Sequence, residues 1–254
     1  MNHQVSRHAL PGFVVLARPG TRIVARQDLA DALLLVTSRE TAYEWAAQQP
    51  GARVLQGRLP VYVVPLPFGG PSVVVRRNHH GGLLASWRGD RFLLTRRPFE
   101  LIVSLVLAQM GVATPEVIAH AIYRVNALER RVDVITRELP AGLDLGAALL
   151  EPASPERRAA LWGAVTALLG TLASHGVWHQ DLNVKNIYLT QPPDAPPSAA
   201  LLDVDRVRFH PPGALVARAN AARLVRSLRK WRATRGASIS DGELALVTDA
   251  AAGA

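Results

Sequence analysis

A chain of 254 residues, 49% of them hydrophobic and with a formal net charge of +9, has enough apolar material for one large domain or two lobes and is not a disordered chain. It has no cysteine, which excludes disulfides and thiolate metal sites and fits a reducing compartment. The charge, almost all arginine, suits anionic partners such as phosphate groups, nucleic acid or an acidic membrane face, although a GC-rich genome would raise the same residues.

The opening stretch MNHQVSRHALPGF carries no apolar run of the secretory kind. GFVVLARPGTRIVAR has room for one or two short strands. DLADALLLV and SRETAYEWAAQ read as short helices, the second with Ser38 as its N-cap and Thr41 close behind. ARVLQG, VYVVPL and PSVVVRR are β-branched runs split by GRLP and PFGG, the pattern of an antiparallel meander. After the loop-rich NHHGGLLASWRGDRFLLTRR, a helix is expected from Pro98 with Gly111 ending it. Two strands follow in VATPEVIAHAIYRV and ERRVDVITREL, then a turn in PAGLDLGAALL.

Ser154 then caps a long helix over 156–174. No formal charge lies between Arg158 and Asp181, so this stretch approaches the length of a membrane span. Its Thr, Ser, His and Gly residues favour a buried central helix. NIYLT and AALLDVDRVRF read as two short strands, and an Arg-rich helix follows at roughly 214–233. That helix places Ala217, Leu224, Val225, Leu228 and Trp231 near one face, flanked by Arg218, Arg223, Arg226, Arg229 and Lys230. It reads either as a surface helix or as a basic face that docks anionic lipid. No internal repeat is visible. Strands and one helix followed by a mostly helical part imply an α+β chain of two lobes, with the cleft between them as the default site.

The polar cluster HQDLNVKN, residues 179–186, needs a reason to sit directly after the most apolar helix. Asn186 starts one expected strand and Asp203 ends the next. An amide and a carboxylate there can share a divalent cation, and hard oxygen ligands suit Mg²⁺. Asp181 can take a proton from a hydroxyl. Together these are the parts of phosphoryl transfer. His175 and His179, four apart, are also a possible zinc pair, but no third ligand accompanies them.

HQDLNVKN resembles the catalytic loop of the protein-kinase superfamily, with His179, Asp181, Leu182 and Asn186 on its fixed positions. LLDVD is similar to the metal-binding strand end, with Asp203 on its Asp and Asp205 in place of its Gly. HxDLNxxN with DxD, joined by VVVRRNHHGGLLA, resembles one branch in particular: the bacterial lipopolysaccharide core kinases, including 3-deoxy-D-manno-octulosonic acid (Kdo) kinase. The resemblance covers about residues 53 to 210.

It implies a protein-kinase-like two-lobed fold, with a small antiparallel-sheet N-lobe, one main helix there, and a reduced, mostly helical C-lobe. Residues 1–50 would form an extension packed on the N-lobe (51–138), and 139–254 the C-lobe ending in the basic helix. By position, Asp181 would be the catalytic base, and Asn183 would face the acceptor or the γ-phosphate. Asn186 and Asp203 would hold Mg²⁺ on ATP. Arg76 stands where kinases carry a strand Lys, with Glu100 as its helix partner, and Glu138 falls in the link that faces adenine. Arg76 and Arg77 can alternatively be a solvated strand end, and Glu100 can be placed by the helix dipole alone.

The pattern has no clear glycine-rich phosphate loop, for which Gly57 is a poor substitute, and no long activation segment. Both gaps argue against a peptide acceptor. The resulting expectation is an ATP-dependent kinase of a Kdo or heptose hydroxyl on a lipid-linked core sugar. It would be cytoplasmic, peripheral at the inner membrane's cytoplasmic face, and without a nucleic-acid partner. A kinase of another small molecule, a protein kinase and a nucleotide-binding pseudokinase remain the alternatives.

Overall fold

The computed structural model describes residues 10–55, 59–79, 90–93, 98–191 and 195–252. The chain divides into two compact units. The first holds residues up to Ile102 together with Glu116–Glu138, and the second holds Val103–Pro115 and Leu139–Ala254.

Unit 1 is built on one antiparallel sheet. Its strands are β1 (Phe13–Arg18), β2 (Thr21–Arg26), β3 (Arg53–Leu55), β4 (Val61–Pro65), β5 (Ser72–Arg77), β6 (Phe92–Leu93), β7 (Val117–Arg124) and β8 (Glu129–Arg137). Their spatial order is β1-β2-β7-β8-β5-β4-β3, with β6 also paired to β8. The β3-β4-β5 meander thus forms as its β-branched runs suggest, and β1 and β2 continue the same sheet on the far side of β7. Alternate residues of the strands, among them Ile23 and Ala25, Val73 and Val75, and Ala119 and Ala121, line one buried cluster. Two short helices, α1 (Ala30–Val36) and α2 (Ala42–Ala47), add Leu33, Val36, Ala42 and Ala46 to it.

The N-cap of α2 is Thr41, not Ser38. Thr41 and Glu44 form a reciprocal capping box. The N–H of Ala42 donates to the Tyr123 hydroxyl at 2.9 Å, and that of Tyr43 to Asp133 at 3.0 Å. Asp133 is fully buried and also accepts from Arg77 Nε at 3.0 Å. Burial pushes its carboxyl pKa up, against the pull of Arg77. Arg77 donates to Thr41 as well and lies 4.6 Å from the centre of the Tyr43 ring. It is therefore a buried tie between sheet and helix, which corrects its reading as part of a solvated strand end.

The boundary between the units falls within α3 (Phe99–Gln109), after Ile102. Unit 2 continues with β9 (Gly142–Asp144), α4 (Leu145–Ala148), α5 (Pro155–Ser174), β10 (Val177–His179), β11 (Ile187–Thr190), β12 (Ser198–Leu201), β13 (Val207–Phe209), α6 (Ala214–Arg235) and α7 (Asp241–Asp249). PAGLDLGAALL is thus a strand and a short helix capped by Asp144, not a plain turn. The strands form two small sheets, β12-β11-β9 and β10-β13.

Helix α5 starts at Ser154, whose hydroxyl accepts from Arg157 N–H at 3.2 Å. Its Leu161, Trp162, Val165, Leu168, Leu169 and Leu172 are buried in the core of unit 2 with Leu224 and Leu228 of α6. Each such leucine contributes roughly 1.5–3 kcal/mol on burial. This packing explains the uncharged stretch. Among the described residues, no helix is long and apolar enough to cross a membrane. Gly176 ends α5 at φ +64°, and a Cβ there would collide with the carbonyl of His210, so the turn into β10 admits only glycine.

Candidate active site

The loop after β10 is shaped by hydrogen bonds internal to unit 2. His179 is fully buried. Its Nε2 lies 3.1 Å from the carbonyl oxygens of both Leu202 and Asp203, and its Nδ1 accepts the Asp181 N–H at 3.2 Å. This pattern requires the neutral ring protonated on Nε2, and burial lowers the pKa of His179 in keeping with that. Both ring nitrogens are committed to the backbone, which removes His179 from any zinc pair with His175. The backbone of His179 is held in turn by the buried Asn220 of α6, whose amide accepts from His179 N–H at 3.1 Å and donates to the Val177 carbonyl at 2.8 Å.

Asp181 is exposed at the tip of the loop. Its carbonyl is the anchor of the cluster, accepting from Asn186 Nδ2 at 2.7 Å and from Asn183 Nδ2 at 2.9 Å. Asn183 Oδ1 accepts the Lys185 N–H at 2.8 Å, closing an Asx turn. Lys185 reaches Asp144 at 3.0 Å. Asn186 directly precedes β11, and its carbonyl accepts the Leu202 N–H at 2.9 Å just past the end of β12. Asn186 and Asp203 therefore sit on neighbouring strand ends. Asp203 is exposed and left-handed (φ 56°), an uncommon conformation for a residue other than glycine, and the His179 contact to its carbonyl holds it there. Asp205 follows in a single 3₁₀ turn, with Arg206 Nε 3.9 Å from its carboxylate.

In unit 1, Arg76 near the end of β5 pairs with Glu100 in the first turn of α3 and donates to Asn78 at 2.8 Å. Glu100 is buried, so its position is set by an ion pair and not by the helix dipole alone. Its second oxygen, Oε2, is buried without a hydrogen bond among the described residues. Glu138, the last residue of unit 1, pairs with Arg53, and its N–H donates to the Ser72 carbonyl at 3.0 Å. Gly57 and most of NHHGGLLA lie outside the described residues.

Residues 92–241 match the family described as lipopolysaccharide kinase (Kdo/WaaP). The chain belongs to that family. It is 28% identical over 184 residues to 3-deoxy-D-manno-octulosonic acid kinases of Xylella fastidiosa strains M12 and M23, covering 70% of either chain in each comparison. Among solved structures it resembles WaaP in complex with acyl carrier protein, with a TM-score of 0.58 at 16% identity, over 92% of this chain and 89% of that one. The fold is accordingly the two-lobed kinase-like one, and a lipopolysaccharide kinase is a phosphotransferase acting on a sugar hydroxyl.

The residues of this family member fit a divalent cation. Asn186 spends its amide N–H on the Asp181 carbonyl, which leaves its Oδ1 as an acceptor on the strand end that neighbours the exposed Asp203. Two hard oxygens, one of them anionic, suit Mg²⁺, which takes the rest of its shell from phosphate and water. Among the described residues, no group of three or more His, Cys, Asp or Glu is placed to hold a metal ion by protein ligands alone. Three supports of the loop escaped the sequence reading: Asn220, Ser227, whose hydroxyl accepts the Val184 N–H at 3.2 Å, and the Asp144 partner of Lys185. A buried Asn on the apolar face of an Ala- and Arg-rich helix was the available signal for the first.

Proposed function

We propose that the protein transfers the γ-phosphate of ATP to a hydroxyl of a lipid-linked inner-core sugar, Kdo first and heptose second, at the cytoplasmic face of the inner membrane. The observation that carries this reading is the loop itself. It holds the carboxylate of Asp181 exposed, with its backbone fixed on both sides, next to the strand end of Asp203. The Kdo kinase identity of the Xylella relatives favours Kdo as the acceptor.

In this reading Asp181 orients the acceptor hydroxyl and takes its proton as the new oxygen–phosphorus bond forms and the bond to ADP breaks. Asn183 contacts the acceptor or the γ-phosphate. Asn186 and Asp203 hold Mg²⁺, which when bound neutralises phosphate charge. Arg76, kept in place by Glu100, clamps phosphate oxygens; a guanidinium can do so in bidentate fashion where a lysine offers a point charge. Glu138 and its neighbours face the adenine. The net charge of +9 draws the protein to an anionic membrane surface, where it binds peripherally.

The test is mass spectrometry of lipopolysaccharide from cells with and without the gene. The reading predicts that the inner core loses one phosphate on a Kdo or heptose residue when the gene is absent. An unchanged inner core rejects it.

A further inference from the structure

One cavity of unit 2, about 370 Å³, opens directly beside the catalytic loop. Asp181 and Asn183 form one side of it. The other side is a face of α6 that includes Arg223, Arg226, Lys230 and Trp231. Arg223, Arg226 and Lys230 recur at intervals of three and four residues, as do Ser227 and Trp231 at four, so a single helical face turns toward the proposed base.

The charges on that face are not neutralised from within. Arg226 and Lys230 are exposed and have no carboxylate partner among the described residues. Arg223 lies 5.9 Å from the centre of the Trp178 ring and forms no ion pair among the described residues. By contrast, Arg158 and Arg232, elsewhere in unit 2, meet Glu243 and Asp241. Like charges gathered in a concave site raise the local potential and favour a bound anion.

The face is also held in register with the loop. Ser227, between Arg226 and Lys230, accepts the backbone N–H of Val184 at 3.2 Å. Trp231 packs so closely on Gly146 that a Cβ there would overlap its ring, and the ammonium of Lys185 sits 5.0 Å from the ring centre. The basic groups and Asp181 therefore belong to one fixed assembly, with Trp231 giving the wall an apolar face.

We propose that Arg226 and Lys230 hold an anionic group of the acceptor, a sugar carboxylate or phosphate, while its hydroxyl meets Asp181. This rests on the acceptor reading above and names the residues that select within it. It also changes the role of the basic helix. If α6 only docked the membrane, its charges would matter for lipid-borne acceptors alone. Lining the cavity with Asp181, they matter for a soluble acceptor too.

The probes are the methyl glycoside of Kdo, which carries a free carboxylate, and its neutral methyl ester. Equilibrium binding of each to the full chain is measured by calorimetry, for the wild type and for Arg226→Gln/Lys230→Gln. The wild type should bind the acid at least about ten-fold more tightly than the ester, the worth of one charge-assisted hydrogen bond. The double variant should lose that preference, bind the ester as the wild type does, and keep the wild-type ATP affinity and melting temperature. Arg226→Lys/Lys230→Arg should retain the preference. Failure of the wild type to bind the acid or to prefer it, or a preference that survives the double substitution, overturns the proposal. A carboxylate preference lost in the double variant, in a protein that phosphorylates no core sugar, sinks the acceptor reading and leaves the anion site standing.

Discussion

His179 holds Asp203 through the backbone: its Nε2–H reaches the carbonyl of Asp203 at 3.1 Å, while its Nδ1 receives the N–H of Asp181 at 3.2 Å. One buried ring therefore sets the backbone of both the proposed base and the proposed metal ligand. The arrangement works only with a neutral imidazole, since a second ring proton would face the Asp181 N–H.

A pH dependence of stability follows. Burial lowers the pKa of His179 below its ordinary value of 6.5. The unfolded chain then binds the proton more readily than the folded one, so this contribution is present above about pH 6.5 and is lost as pH falls through the lowered folded value. Urea melts of the wild type and His179→Asn from pH 8 to pH 5 should show the wild-type advantage shrinking below about pH 6.5. A difference that stays constant across the range would show that the ring is not held neutral.

Replacing Asp203 by Asn removes the charged member of the proposed Mg²⁺ pair. ATP affinity should drop in the presence of Mg²⁺ and stay near that of the wild type in its absence. Equal affinities for wild type and variant under both conditions would remove Asp203 from the metal site.

Arg76 and Glu100 separate stability from catalysis. Arg76→Ala leaves a buried carboxylate unpaired, which costs about 1–3 kcal/mol of stability, and takes away a phosphate clamp, which costs roughly 10²-fold in rate. The double variant Arg76→Ala/Glu100→Gln should recover much of the stability and none of the rate. Recovery of both would make Arg76 purely structural.

Glu243 is the second pH-sensitive tie, and its sign is fixed by its partners. Although burial raises its pKa, Arg158, the Ser240 N–H and the Trp162 indole hold it at about 2, below the usual 4.5. Its contribution is present above about pH 4.5 and lost as pH falls through 2. Glu243→Gln should destabilise the protein at neutral pH by on the order of 2–3 kcal/mol, with the gap closing in acid. Denaturant melts at pH 7 and pH 3 check this; a gap that fails to narrow contradicts the assignment.

Much of this site was legible because HQDLNVKN carries six polar residues in eight positions, and because Glu100 is the only acid available to Arg76 in its helix. The cap of α5 could be read for a similar local reason: Ser154 stands just before Pro155. Other features were hidden by length. Strands β9, β10 and β13 have three residues each, too few to display a period of two. Thr41 was in principle readable, since Glu44 follows it by three and completes a capping box that Ser38 lacks. The basic face of α6 was visible as a face, but no periodicity says which loop a helix face meets. That depends on long-range contacts such as Val184 to Ser227 and His179 to Asn220.

The central claim is that Asp181 activates a hydroxyl of a Kdo-bearing lipid acceptor toward ATP. The most direct measurement incubates the purified protein with Mg²⁺, ATP and Kdo-substituted lipid A, and follows phosphate transfer by mass spectrometry, in parallel with Asp181→Asn and with ATP affinity measured for both proteins. The account predicts one added phosphate on the Kdo residue with the wild type, a rate lower by at least about 10²-fold in the variant, and an ATP affinity that the substitution leaves largely intact. Turnover of the variant within a few-fold of the wild type, or no phosphate on any core sugar beside robust transfer to a protein or a soluble metabolite, would contradict it.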